Sequence, residues 1–208
     1  MKVKAVEEIP HRPSPFNPNA RWLGAQWQGD EVMSVEIEVG DFLYSLVRAV
    51  KPVTILETGT WKGFSTTRLA TGLFYNGFGT VTTVDKLDQK FIPFVLSQQE
   101  VEHHGNGVKT WEKITDDALH AMQKLIDEKR QFNMIFCDDL HSGEHVKKEL
   151  ALFEKLITKP GYLLFHDSYF TKQGDIAKLV KEWAKEKGYD YLPLYTSRGL
   201  DIVHVPKN

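Results

Sequence analysis

The sequence predicts an α/β fold: a mostly parallel sheet covered by helices on both faces. Two observations carry that expectation. Short apolar, β-rich runs alternate along the chain with segments of helical periodicity, and the alternation ends in two closely spaced β-rich runs that read as a hairpin. The chain has 208 residues, of which 41% are apolar and 26% charged, enough for one domain with a sizeable core.

The elements follow in order. Residues 1–35 form an arm in which "IPHRPSPFNPNARW" carries four prolines and cannot be regular helix through its middle. Phe16, Trp22 and Trp27 in this arm are expected to pack on the domain or on a partner subunit, which suits a homodimer. The domain proper is read as 36–208. It opens with a helix over 38–50, where Phe42, Leu43, Leu46, Val47 and Val50 keep helical spacing until Lys51-Pro52 stops it. "VTIL" is the first strand, "STTRLATGLF" the next helix, and "GTVTTVD" a second buried strand ending on an acid. A helix around 90–103 and a strand near 108–114 follow. Thr115 is the expected cap of "DDALHAMQKLIDEK", with two acids in its first turn. "FNMIFCDD" is a buried strand, and Ser142 caps a helix whose buried stripe is Val146, Leu150, Phe153 and Leu156. Pro160-Gly161 turns into the strand "YLLFHD". A last helix carries Ile176, Leu179, Val180 and Trp183, before two strands joined around Ser197-Arg198-Gly199.

Composition narrows the function. A formal charge of −2 gives no pull toward nucleic acid or anionic membrane, and the lysines at 147–148 and 178–187 are interleaved with acids. No window approaches the roughly twenty apolar residues of a membrane span. The single cysteine, Cys137, suits a reducing cytoplasm and reads as a buried strand residue. The N-terminus lacks an apolar core of signal-peptide length.

The stretch "ILETGTWKGFST" sits where the first strand of a parallel sheet meets its helix, the usual place for a cofactor. Gly59 and Gly63 let backbone approach a ligand, and the helix behind them aims N–H groups and partial positive charge at it. The spacing is G-x-x-x-G. It lacks the Gly-Lys-Ser/Thr ending of a phosphate loop and the G-x-G-x-x-G of a dinucleotide turn. A compact turn of this kind can hold a carboxylate, with Ser65 and Thr66 as further donors. Asp85, about twenty residues on, can accept both ribose hydroxyls of a nucleoside. A nucleoside and a carboxylate without a required phosphate describe S-adenosylmethionine.

With these residues in register, "ILETGTWKGFST…VTTVD" resembles the cofactor motifs of class I S-adenosylmethionine-dependent methyltransferases. "FCDDLHSGEHVKKELALFEKLITKPGYLLFHD" resembles small-molecule O-methyltransferases of the macrocin and catechol-like (methyltransferase domain 24-like) group. The likeness spans roughly 36–167. It implies a Rossmann-like, doubly wound, seven-stranded sheet with a C-terminal antiparallel hairpin. It also implies a cofactor site that includes Glu57, Gly59, Thr60, Trp61, Gly63, Ser65, Asp85 and Asp138, with Glu57 and Gly59 bordering the methionine moiety, Ser65 at its carboxylate and Asp85 on the ribose. Asp116 or Asp117 would lie near the adenine edge; simple helix N-terminal charge explains that pair equally well.

Methyl transfer needs an aligned acceptor and a deprotonated oxygen or free nitrogen, supplied by a general base or a divalent cation. Candidates for the base are Asp138, His141 and His166. The resemblance places metal ligands at Asp138, Asp167 and Ser168, suited to Mg²⁺. Two departures weaken that set: Ser168 stands where an asparagine or acid is usual, and Leu140 replaces an acid. On a continuing strand His166 and Asp167 point to opposite sides. His103, His104 and His145 read as helix-surface residues. The function expected is methyl transfer to a small molecule, at oxygen. Two alternatives remain open: an α/β enzyme using another nucleotide, and a catalytically silent binding subunit of the same fold. The acceptor is set by the arm, by 169–175 and by the turn at 195–199, none of which carries a readable code.

Overall fold

A computed structural model describes residues 35–87, 110–169 and 175–207. The arm over 1–34, the expected helix at 90–103 and His103-His104 lie outside the described residues. Helix α1 (Ile37–Val50) leads into β1 (Thr54–Thr58), α2 (Phe64–Asn76), β2 (Thr80–Asp85) and β3 (Trp111–Thr115). Then come α3 (Ala118–Asp127), β4 (Phe132–Cys137), α4 (Gly143–Leu156), β5 (Ile157–His166), α5 (Ile176–Lys187), β6 (Asp190–Leu194) and β7 (Leu200–Val205).

The seven strands lie in the order β3-β2-β1-β4-β5-β7-β6. The first five are parallel; β7 runs antiparallel to both β5 and β6. This is the doubly wound, Rossmann-like sheet with a terminal hairpin that the motifs implied. Strand order reverses between β1 and β4, so a crevice opens beyond their carboxyl ends.

Alternation along each strand assigns the two faces. Ile55, Val81, Met134, Phe136 and Leu164 pack with Val39, Leu43 and Val47 of α1 and Leu69 and Leu73 of α2. Their neighbours Leu56, Ile135, Cys137, Leu163 and Phe165 face α3, α4 and α5, where Phe153 and Phe165 meet edge to face at 6.1 Å. The same parity decides which polar residues meet at the strand ends.

Two expectations about element ends are corrected. The cap of α3 is Asp117, whose carboxylate accepts from the N–H groups of Leu119 and His120; Thr115 instead closes β3. An aspartate two or three residues before the first free N–H groups reaches them directly, which Thr115 does not. Pro160-Gly161 does not separate helix from strand. β5 already begins at Ile157, and the register against β4 slips between Phe132 and Met134 to absorb the irregularity. Lys51 does stop α1 as expected, in the left-handed region at φ 55°.

Candidate active site

The glycine turn is built from three tight constraints. Gly59 has φ +88°, and a Cβ there would fall inside the carbonyl oxygen of Asp138. Only glycine permits both the conformation and the contact. Its N–H donates to Val84 O at 2.9 Å, and the Asp138 N–H donates to Thr58 O at 2.9 Å, so the ends of β1, β2 and β4 are stitched together at this point. Gly63, at φ +80°, precedes α2 and leaves the helix N-terminus facing the turn. Asp85 spans the loop: Oδ2 accepts from the Trp61 N–H at 2.7 Å and Oδ1 from the Leu87 N–H at 2.8 Å. Trp61 is 39% exposed beside it.

Below the turn, Glu57 is fully buried on the α1–α2 face. Burial pushes its carboxyl up to about 7, although the hydroxyls of Ser65, Thr66 and Thr83 restrain the rise. Thr83 donates at 2.6 Å and Thr66 by a short bond; Thr60 and Thr83 hydroxyls meet at 2.6 Å. Glu57, Thr60 and Ser65 thus form the buried floor of the turn. Asp116 and Asp117 carry local tasks. Asp116 takes His120 at 3.0 Å and Lys124 at 2.9 Å, which hold its carboxyl well below the usual range. Asp117 caps α3 and pairs with Lys86 at 2.8 Å.

A second group assembles where β4 and β5 end. β5 stops at His166, and Asp167 adopts φ +54°, so the strict alternation expected for this pair does not apply. His166 Nδ1 lies 2.8 Å from Asp138 Oδ1, and Nε2 lies 2.6 Å from Glu36 Oε2. Burial alone would lower the imidazole's pKa, but Asp138, Asp167 and Glu36 outweigh it and push it up to about 10. His166 thus bridges Asp138 and Glu36 from a fully buried position and fixes the Asp138 side chain. Glu36 also accepts from the Ser197 hydroxyl and from the Arg198 N–H at 3.0 Å. Burial would raise the Glu36 carboxyl; His166 and Arg198 hold it far below the ordinary range instead.

His141 stands at the open side of the group. Its Nε2 is 2.9 Å from Asp167 Oδ2 and 4.0 Å from Asp138 Oδ1, and the side chain is 31% exposed. Burial depresses its pKa, but the Asp167 bond and charge, then Asp138, raise it on balance. Arg198 Nε lies 3.0 Å from Asp167 Oδ1 on the inner side. Glu36, Ser197 and Arg198 were not legible as site residues. Glu36 merely precedes a helix in sequence, and Ser197 and Arg198 lie in a turn that carries no readable code.

Asp138, His141 and Asp167 bring ligand atoms within 4.8 Å of one another. The set fits Mg²⁺ poorly. A hard cation prefers oxygen throughout, whereas this group offers an imidazole, and its carboxylates already face His166 and Arg198. On the other side, the Ser168 hydroxyl and Asp167 Oδ1 are both buried without a hydrogen bond.

On the opposite face of the sheet a further polar group lies under the same loop. Glu149 is fully buried in α4, accepting from Thr58 at 3.2 Å and from the Cys137 thiol at 3.2 Å. His145, read from sequence as a surface residue, is only 12% exposed, with Nε2 3.1 Å from Asp139 Oδ2 and 3.9 Å from Glu149 Oε1. Its position one turn before Glu149 and inside the helix's inner face explains the difference.

A doubly wound sheet with a G-x-x-x-G turn at its switch point and an acid ending β2 defines the class I methyltransferase fold. The chain belongs to this family: a methyltransferase domain matches residues 56–168. Over 137 residues it is 26% identical to an Arabidopsis thaliana protein named for caffeoyl-CoA O-methyltransferase, covering 65% of this chain and 55% of that relative. Among solved structures, a Staphylococcus aureus protein named for the same activity superposes with a TM-score of 0.65 at 20% identity, over 86% of this chain and 88% of its own. An O-methyltransferase from Bacillus cereus, solved in complex with SAH, gives 0.60 at 20% identity, over 83% and 82%. At that identity the structures speak for the fold. Among the described residues no helix is long and apolar enough to cross a membrane.

Proposed function

We propose that this chain is an S-adenosylmethionine-dependent O-methyltransferase acting on the hydroxyl of a small molecule. The observation that supports the reading is the His141–Asp167 pair, 2.9 Å apart beside Asp138, whose backbone packs against Gly59 of the glycine turn. Bound at the glycine turn, S-adenosylmethionine would supply an electrophilic methyl group, with the C–S electron pair remaining on sulfur. The chain's own residues do the rest. The α2 N-terminus and Ser65 receive a carboxylate, and Asp85 receives a ribose. His141, oriented by Asp167, takes the proton from the acceptor hydroxyl as the O–C bond forms, in the manner of a carboxylate-held general base. His166 and Arg198 hold Asp138 and Asp167 in place, and their charges keep Asp167 ionised. The remaining expectations belong to the same reading: a cytoplasmic protein, a small-molecule partner with no nucleic acid, and a homodimer contact through the 1–35 arm.

Calorimetric titration of S-adenosylhomocysteine into chelator-stripped protein, followed by methyl transfer to a panel of phenols, catechols and sugars, tests this. Binding with turnover supports the reading, and absence of binding removes it. Binding without turnover on any acceptor points to a silent binding subunit. A second reading, a divalent cation at Asp138, Asp167 and Ser168, is favoured by the unpaired Ser168 hydroxyl. It requires turnover to fall on chelation and return with Mg²⁺.

A further inference from the structure

We propose that Asp139, His145 and Glu149 form a Zn²⁺-class metal site on the α4 face of the sheet, separate from the Asp138–His141–Asp167 group. One ligand atom from each of the three lies within 4.8 Å of the other two, a spread that a centre with bonds of about 2.0–2.2 Å closes by small rotamer changes. His145 and Glu149 are four apart on one helix, so their side chains project side by side, and Asp139 reaches them from the loop after β4. A nitrogen with two carboxylates is a donor set of the zinc class, with Asp139, about a third exposed, on the side where water completes the shell.

Independent support comes from Glu149 itself. It interrupts the apolar stripe of Val146, Leu150 and Phe153, and it is fully buried. His145 Nε2 lies 3.9 Å from its Oε1. An apolar side chain at this position would serve packing better. Its two oxygens are nevertheless held in place by the Thr58 hydroxyl and the Cys137 thiol. That is the arrangement of outer partners that orient a carboxylate ligand. Without metal, the His145 ring nitrogen sits beside both carboxylates.

The consequence is a clamp. Asp139 follows Asp138 and precedes His141, and the backbone of 138–139 packs against Gly59. A metal joining Asp139 to α4 would pin the loop that carries Asp138 and His141. The site does not depend on the chemistry proposed above, since it rests on other side chains on the other face.

The test is a titration of metal-stripped full-length protein with Zn²⁺, followed by heat denaturation, and with Co²⁺, followed by visible absorption. The wild type is expected to bind Zn²⁺ with a rise in Tm and to give a four-coordinate Co²⁺ spectrum. His145→Gln and Asp139→Asn should abolish both signals, the second serving as the variant least able to disturb folding. Thr58→Val should weaken binding about ten- to a hundredfold. Asp167→Asn should leave the signals intact. Signals that survive in both His145→Gln and Asp139→Asn, or that vanish in Asp167→Asn, overturn the proposal, as does a wild type that takes up neither metal.

Discussion

At the scale of single residues, environment has reassigned titratable groups that look alike in sequence. His141 and His166 are both histidines near Asp167, yet one is a third exposed and the other is enclosed by Asp138 and Glu36. In the proposed reading His141, the more exposed of the two, is the one that exchanges a proton with a ligand in the crevice. His141→Asn is therefore expected to lower kcat about 10²- to 10⁴-fold while S-adenosylhomocysteine affinity, read by calorimetry, stays within about twofold. Glu57 gives a prediction in pH. Its folded-state pKa is raised to about 7, so its contribution to stability is complete below the unfolded value near 4.3 and is lost as pH rises through 7. The loss is roughly 4 kcal/mol in order of magnitude. Urea midpoints of Glu57→Gln measured from pH 5 to pH 8 should be flatter than those of the wild type. Equal slopes would show that Glu57 is ionised in the native protein across that range.

At the scale of elements, the site depends on how strands end and helices begin. Gly59→Ala would have to hold φ +88° and displace the Asp138 carbonyl. It is expected to cost at least ~2 kcal/mol and to weaken cofactor binding together with stability, because the same turn serves both. Asp117→Ala should cost only about 1 kcal/mol through the lost cap of α3, as read by thermal denaturation. If it also weakened S-adenosylhomocysteine binding more than tenfold, Asp117 would be a cofactor contact as well as a cap. Periodicity located these helices well because their apolar stripes are long, whereas their ends rest on one or two hydrogen bonds. Asp117 outcompeting Thr115 as the cap is a choice between neighbours that a pattern does not resolve.

At the scale of the whole molecule, Glu36 ties the start of α1 to the end of β5 and to the β6–β7 turn, residues 130 to 162 positions away. The contact closes the sheet's carboxyl edge over Asp138 and Asp167. Breaking a buried ion pair by removing one partner costs about 3–5 kcal/mol. Glu36→Gln should show a loss of that order in urea denaturation. In a cycle with His166→Gln the coupling should be at least ~1 kcal/mol; strict additivity would mean the two residues stabilise the fold independently.

The sequence by itself determined the α/β class, the alternation of elements, the glycine turn and the acid at the end of β2. All of these rest on local spacing: apolar period, turn chemistry and the few residues between strand and helix. Only the tertiary structure decided that His166 is buried between Asp138 and Glu36, that Arg198 reaches Asp167, and that His145 turns inward toward Glu149 and Asp139. The physical reason is that each depends on burial and on charges brought together from distant segments. Desolvation and Coulomb attraction act through space, and a one-dimensional pattern carries neither.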